Sequence, residues 1–415
     1  MNFRLKLLYT CCLVAVLGLF MACENSEEGA VFETLETQNS LSEQWKYEVI
    51  PGQYIVTLKE GTLGSQPAAK GASSYKTATE NLKLQLTSLF GKSNLALDDI
   101  QAAYGYTIEG FAAVLTDEQL RILQADPRVK SIEPDYLIIL APPPDKGPNK
   151  DTEEGGGGGS PSQTTPWGIG RVNGPVTYTG DQKAYILDTG IDLDHEDLNV
   201  ATFGWNAFNR GKDGSSLDDG NGHGTHVAGT IAAINNSVGV IGVAAGATVV
   251  PVKVLDSRGS GSYSGVIGGV DFVRADGSPG DVANMSLGGP KSNALNSAVE
   301  AAASNGIKFS LAAGNESQNA NNVSPASANG NNIYTISAMR QGDNWASFSN
   351  YGPPVDYCAP GVGIESSWKD GGYRTISGTS MAAPHAAGIL LLGNAQTDGY
   401  VSGDPDGNAY PIIVH

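Results

Sequence analysis

Lys183-Ala184-Tyr185-Ile186-Leu187-Asp188-Thr189-Gly190 is a short apolar, β-favouring run that stops at a carboxylate and a glycine. It reads as a buried parallel strand delivering Asp188 at its C-terminal edge, where the active sites of open α/β sheets gather. Ile307-Lys308-Phe309-Ser310-Leu311-Ala312-Ala313 repeats the pattern and ends in Gly314-Asn315-Glu316. Asp219-Gly220-Asn221-Gly222-His223-Gly224-Thr225-His226 leads into a helix-compatible run, and the glycines around His223 leave its imidazole uncrowded. Further on, Gly378-Thr379-Ser380-Met381-Ala382-Ala383-Pro384-His385 puts a serine at the mouth of an apolar helix reaching Leu392. The first N–H groups of a helix have no internal partner, and its dipole suits a developing negative charge there. Taken alone, Ser380 is either a helix cap or a nucleophile.

Asp, His and Ser at element ends are the parts of an activated serine nucleophile. The serine needs a base, and the base needs a carboxylate to fix its tautomer. Asn315 offers a side-chain N–H, and Ser380 its backbone N–H, to an oxyanion. Plainer readings exist for each residue. Asp-Thr-Gly also marks aspartic proteases, but that chemistry needs two carboxylates sharing a proton, and the motif occurs once here. His223 and His226 lack the His-Glu-x-x-His spacing of zinc peptidases, and His226 is expected to be a packed helix residue. Asn315 alone would be a turn residue. Together the four favour catalysis.

In the order Asp…His…Ser the chain resembles the subtilisin-like serine peptidases, closest to their proteinase K branch. Val252-Lys253-Val254-Leu255, Asn284-Met285-Ser286-Leu287-Gly288-Gly289, Ser324-Pro325-Ala326-Ser327, Phe348-Ser349-Asn350-Tyr351-Gly352 and Ala359-Pro360-Gly361 carry the resemblance further. It implies an α/β fold with a doubly wound, mostly parallel sheet flanked by helices, preceded by a small α+β propeptide domain. It also implies a serine endopeptidase in which Asp188 orients, His223 is the base, Ser380 the nucleophile and Asn315 the oxyanion donor. A peptide would be held as an added strand between Gly259-Ser260-Gly261 and Ser286-Leu287-Gly288. Ser286 to Gly289 and Ala312 to Asn315, Gly314 included, would line a primary pocket with small uncharged walls, so a broad apolar preference is expected.

By the same resemblance, structural Ca²⁺ would be held by the side chains of Gln163, Asp197 and Asn236 with the carbonyls of Ile234, Val238 and Val240, all oxygen donors. Asp356 would hold a second ion.

The chain has 415 residues and a formal net charge of -18, which argues against nucleic-acid partners. Residues 1–22 read as an export signal: Arg4 and Lys6 precede the apolar stretch Leu7 to Phe20, which is short for a membrane span. Leu19-Phe20-Met21-Ala22-Cys23 resembles a lipoprotein cleavage box, so either Cys23 is lipidated, the one expected link to a membrane, or ordinary cleavage precedes it. Residues 23–46 form an acidic tether and 47–140 an α+β unit that resembles an inhibitor propeptide, an intramolecular partner. Within that unit, strands are expected at Gln53 to Leu58 and Phe111 to Leu115. Helices are expected from Thr77 to Leu89 and, capped by Thr116, to about Ala125. Residues 141–162, with Pro142-Pro143-Pro144 and Gly155 to Gly159, form a linker. Residues 163–415 form the catalytic domain, with Pro411-Ile412-Ile413-Val414 as a final strand and Cys358 as its lone cysteine. The protein is thus expected to be exported, with polypeptides as substrates. A dedicated processing peptidase and a silent peptide-binding relative are the alternatives.

Overall fold

A computed structural model describes residues 46–66, 68–140, 162–393 and 395–415. The expected signal peptide, the tether up to residue 45, the linker from 141 to 161 and the three N-terminal cysteines lie outside the described residues.

The N-terminal lobe runs β1 (Lys46–Leu58), α1 (Ala72–Leu89), β2 (Ile100–Tyr104), β3 (Gly110–Val114), α2 (Asp117–Gln124) and β4 (Val129–Ile139). Its strands lie antiparallel in the order β4-β1-β3-β2. Val56, Leu58, Leu82, Leu86, Phe90, Phe111 and Leu123 close its core. The Thr116 cap holds: its hydroxyl accepts from Gln119 N, and Gln119 Oε1 accepts from Thr116 N, a reciprocal pair that satisfies two helix-end donors. Helix α1 begins at Ala72, five residues before the expected Thr77, just after Gly71 at φ 78°.

In the larger lobe, α3 (Trp167–Arg171) leads to the Ala184–Asp188 strand, in which all five residues are buried. Ala184 and Ile186 pack on one layer, Tyr185 and Leu187 on the other. That is the period-two alternation of a strand covered on both faces, and it explains the unbroken apolar run. Thr248–Lys253 and Val282–Met285 flank it, both parallel. The ladder continues through Lys308–Ala312, Ile333–Arg340, Val355–Pro360 and Pro411–Val414, all parallel. Chain order reverses at Ala184–Asp188, so Asp188 ends the strand at the switch point of a doubly wound sheet. Helices α4 (His223–Ala232) and α7 (Thr379–Leu392) share one apolar cluster with Ala184 and Ile186. Helices α5 (Tyr263–Asp276) and α6 (Asn293–Ala303) share another with Tyr185 and Leu187.

The expected last strand is present, and Gln396–Tyr400 pairs antiparallel with it at the sheet's edge, with a register shift between Thr397 and Tyr400. Cys358 is buried and unpaired, and burial pushes its thiol up to about 12.

The lobes join through β4. It pairs antiparallel with the strand Ser260–Ser262, Ile139 opposite Ser260 and Ile138 opposite Gly261, and Leu140 N donates to Gly259 O at 2.8 Å.

Candidate active site

Asp188, Ser286 and Asn315 stand at or just beyond the C-terminal ends of the strands Ala184–Asp188, Val282–Met285 and Lys308–Ala312. His223 and Ser380 occupy the first turns of α4 and α7. His223 Nδ1 faces both carboxylate oxygens of Asp188, at 2.8 and 2.9 Å, a contact that suits a proton on Nδ1 and leaves Nε2 able to accept one. A Cβ on Gly224 would lie 2.1 Å from Gly190 O; glycine is what lets α4 approach the strand end.

Asp219, to which the sequence alone assigned no role, is buried and holds this loop. Its Oδ1 accepts from Thr189 Oγ1, Asn221 N and Gly222 N, and its Oδ2 from Thr225 N and Oγ1. The available signal was an Asp four residues before the histidine, placed to cap the coming helix. The buried Lys253 ammonium donates to Thr189 O. Burial alone would push the His223 imidazolium down, but the Asp188 carboxylate, its hydrogen bond and Asp219 outweigh it, so its pKa is raised. His226 is fully buried, as expected of a packed residue, and burial drives it down to about 3.

The Ser380 hydroxyl donates to Ser286 O at 3.1 Å, and Ser286 Oγ donates to Ser380 O at 2.7 Å. Asn315 Oδ1 accepts from Thr379 N at 2.8 Å and Thr379 Oγ1 at 2.9 Å. That fixes the amide's orientation and turns Nδ2, its donor, away from Thr379. The serine motif by itself gives Thr379 no task.

Of the two expected peptide-binding segments, Gly259-Ser260-Gly261 is filled by β4. Ile138 is buried beside Gly289, where a Cβ would come within 2.8 Å of its Cγ2, so the missing side chain makes the seat. Leu287 and Ala312 are buried in apolar clusters, and Gly288 lies close to Val323 and Ser324. A cavity of about 610 Å³ lies elsewhere, between α1 and Trp205 to Arg210, and none of the four candidate catalytic residues lines it.

Carboxylates add to the lobe contact, beside the Lys70 ammonium on Asp276 O and Gly277 O and the Tyr104 hydroxyl on Ser264 O. Glu133 accepts from Ser292 Oγ and Ala294 N at the start of α6, and buried Asp135 from Ser264 N at the start of α5 and from Gln53. Conversely Asp271 of α5, fully buried, accepts from Tyr106 N, Thr107 N, Thr107 Oγ1 and the Tyr75 hydroxyl. Burial raises both Asp135 and Asp271.

At the expected ion site, Gln163 Nε2 lies 2.8 Å from Ile234 O, 3.2 Å from Asn236 Oδ1, 3.5 Å from Val238 O and 3.1 Å from Val240 O. Four oxygens therefore converge on the donor end of the Gln163 amide; with the amide turned over, its Oε1 would join them in the all-oxygen kind of set that a hard cation takes. Asp197 accepts from Asn236 Nδ2 and Val240 N beside them. Asp356 accepts from Thr335 N.

Residues 182–400 match the family model described as the subtilase family, peptidase S8, and residues 53–141 match the one described as peptidase inhibitor I9. Among similar proteins, alkaline serine exoprotease A of Vibrio alginolyticus is 36% identical over 407 residues, 94% of this chain and 70% of that protein. A cuticle-degrading serine protease of Arthrobotrys oligospora is 46% identical over 386 residues, 88% of this chain and 84% of that protein. The crystal structure of a cold adapted subtilisin-like serine proteinase superposes with a TM-score of 0.51 at 40% identity, covering 59% of this chain and 96% of that one.

Proposed function

Since the chain belongs to the subtilase family of serine peptidases and carries an inhibitor-type propeptide, we propose that it is an exported endopeptidase made as a self-processing precursor, acting through Asp188, His223 and Ser380. The observation that carries the reading is the pairing of His223 Nδ1 with Asp188, while Ser380 stands in the first turn of α7 with its hydroxyl on Ser286 O. In the reaction, Ser380 Oγ turns from Ser286 O, passes its proton to His223 Nε2 and attacks the peptide carbonyl. Asp188 holds the imidazolium. Asn315 Nδ2 and Ser380 N receive the oxyanion, His223 returns the proton to the leaving amine, and water releases the acyl-enzyme. A serine-directed phosphonate should label Ser380 in the processed enzyme. No labelling would instead support the silent peptide-binding alternative.

Substrate polypeptide would take the place of β4 along Gly259 to Gly261, with Ser286 to Gly289 as the opposite wall. Main-chain pairing of this kind supports broad specificity, and the small residues of the primary pocket support an apolar preference. A peptide panel varied at the residue before the cut tests this: a sharp preference for Arg or Lys would sink it, and inactivity on casein would favour the dedicated processing enzyme.

Gln163, Asp197, Asn236 and the carbonyls of Ile234, Val238 and Val240 would hold structural Ca²⁺, with Asp356 a second site. Such an ion contributes stability rather than reaction chemistry, tying Gln163 to the loop from Ile234 to Val240. A chelator should lower the melting temperature, and an unmoved melt would remove both sites from the reading. Lipidation at Cys23 would tether the precursor, and a cut in the glycine linker would free the catalytic lobe. Mature enzyme remaining with membranes would contradict that release.

A further inference from the structure

Phe348-Ser349-Asn350-Tyr351-Gly352 has no part in the reaction as described, yet Asn350 is fully buried and spends its whole amide on one turn. Its Nδ2 donates to Ala313 O at 2.9 Å and to Glu316 Oε2 at 2.6 Å. Its Oδ1 accepts from Glu316 N at 3.1 Å and from Gln318 N at 2.9 Å. Its backbone N–H donates to Gly314 O at 2.9 Å. An asparagine amide has two donor hydrogens and two acceptor lone pairs, so all four are used, on residues before and after Asn315. Gly314 sits at φ 105°, where a Cβ would lie 2.3 Å from Asn350 Nδ2, so the turn and the amide are built against each other.

We infer that Asn350 is a positioning residue for Asn315, fixing the backbone of the turn that carries it while Thr379 fixes its side chain. This rests on the reading of Asn315 as the oxyanion donor. A donor aimed at a transiently charged oxygen acts through placement, and an error of about 1 Å can cost about a hundredfold in rate. A purely structural asparagine would lower stability and leave the chemical step of the folded fraction unchanged.

The test is a double-mutant cycle on the full chain, matured by passage over immobilised wild-type enzyme and assayed on a chromogenic peptide. Asn315→Ala should lower kcat by about 10²–10³, the scale known for the oxyanion asparagine of subtilisin, a relative of this chain. Asn350→Ala should lower kcat by about 10–100-fold with KM changed by less than about threefold, the signature of misplaced geometry. Added to Asn315→Ala it should cost less than about threefold more, because the residue it positions is gone. Multiplying effects would overturn the inference. An unchanged kcat in Asn315→Ala would instead overturn the oxyanion reading beneath it.

Should Asn350→Ala fail to fold, a donor–acceptor swap takes its place. Asn350→Asp keeps the Oδ1 acceptor but sets a carboxylate against Glu316, which burial already pushes up to about 7. Its kcat should fall, its ratio to the wild-type kcat at the same pH should partly recover as pH is lowered, and Glu316→Gln added to it should restore much of the loss. Equal losses with and without Glu316→Gln would refute the positioning role.

Discussion

Helices α5 and α6 begin at Ser262 and Ser292, whose hydroxyls accept from Gly265 N and Leu295 N. Each start also receives a carboxylate from β4, Asp135 on Ser264 N and Glu133 on Ala294 N. Helix α7 begins at Gly378, which has no side chain to cap it; Asn315 Oδ1 accepts from Thr379 N and Gly378 O from Met381 N. Every helix start offers unpaired N–H groups and a positive dipole end. Where side chains fill them, the start becomes a docking contact for a permanent anion. At α7 the N–H between those of Thr379 and Met381, Ser380 N, is the one that the proposed mechanism leaves for a charge that exists only during reaction. The inhibitor lobe thus holds two helix starts that have no part in the proposed reaction, and it covers Ser260–Ser262, the proposed peptide-binding edge.

Removing the group that α7 presents should have the largest effect. Ser380→Ala should leave the precursor uncut on a gel and lower kcat by about 10⁶, the scale for the nucleophile of subtilisin, this family's namesake. An alternative nucleophile would show as continued processing.

Giving α7 the kind of anion that α5 and α6 hold is the next step down. A Cβ on Gly378 would lie 3.6 Å from Ser380 N and 3.7 Å from Asn315 Nδ2. Gly378→Asp should therefore set a carboxylate where the oxyanion forms, lowering kcat by about 10² or more. Retained activity would mean that this helix start does not serve the oxyanion.

On the docking side, Ile138→Ala empties the seat beside Gly289. It should weaken inhibition of the mature enzyme by the propeptide by about 2–5 kcal/mol, read as an inhibition constant. Asp135→Ala leaves buried Ser264 N and half-buried Gln53 without their acceptor and should cost about 1–3 kcal/mol by the same assay. A larger loss from Asp135 than from Ile138 would make the carboxylates, not the apolar strand, the main grip.

The smallest effect is a displacement of the pH profile. His223 acts as a base only when neutral, and its pKa is raised above the ordinary 6.5. Activity should fall as pH drops through that raised value, so the acid limb of kcat/KM sits above 6.5. A limb below it would mean that burial, not Asp188 and Asp219, dominates the imidazole.

What could be read from the chain follows the same division. The α7 start, the His223 loop and the strand ends announce themselves locally, because apolar runs stop at Asp188 and Asn315 and glycines crowd around His223. The inhibitor lobe was legible as a unit, down to the Thr116 cap. Strand β2 was not, because Ile100-Gln101-Ala102-Ala103-Tyr104 has no clean alternation to mark it. The docking carboxylates were invisible for a different reason: Asp271 finds its donors at Tyr75, Tyr106 and Thr107, far away in sequence. Thr379, Asp219 and Asn350 lie inside recognisable motifs, yet a motif does not say which buried polar group each will satisfy.

Gln396–Tyr400 is, like Ser260–Ser262, a strand at the border of a sheet, and its residues are all exposed. Ser260–Ser262 accepts a guest strand in register. Gln396–Tyr400 breaks its own register between Thr397 and Tyr400, kinks at Gly399 with φ 76°, and has the carbonyl of Asp398 taken by Arg171. Bulges and charges of this sort blunt an edge against β-aggregation. A protein whose inhibitor lobe adds a strand at Ser260–Ser262 thereby keeps a second, exposed border strand from taking one from its own copies.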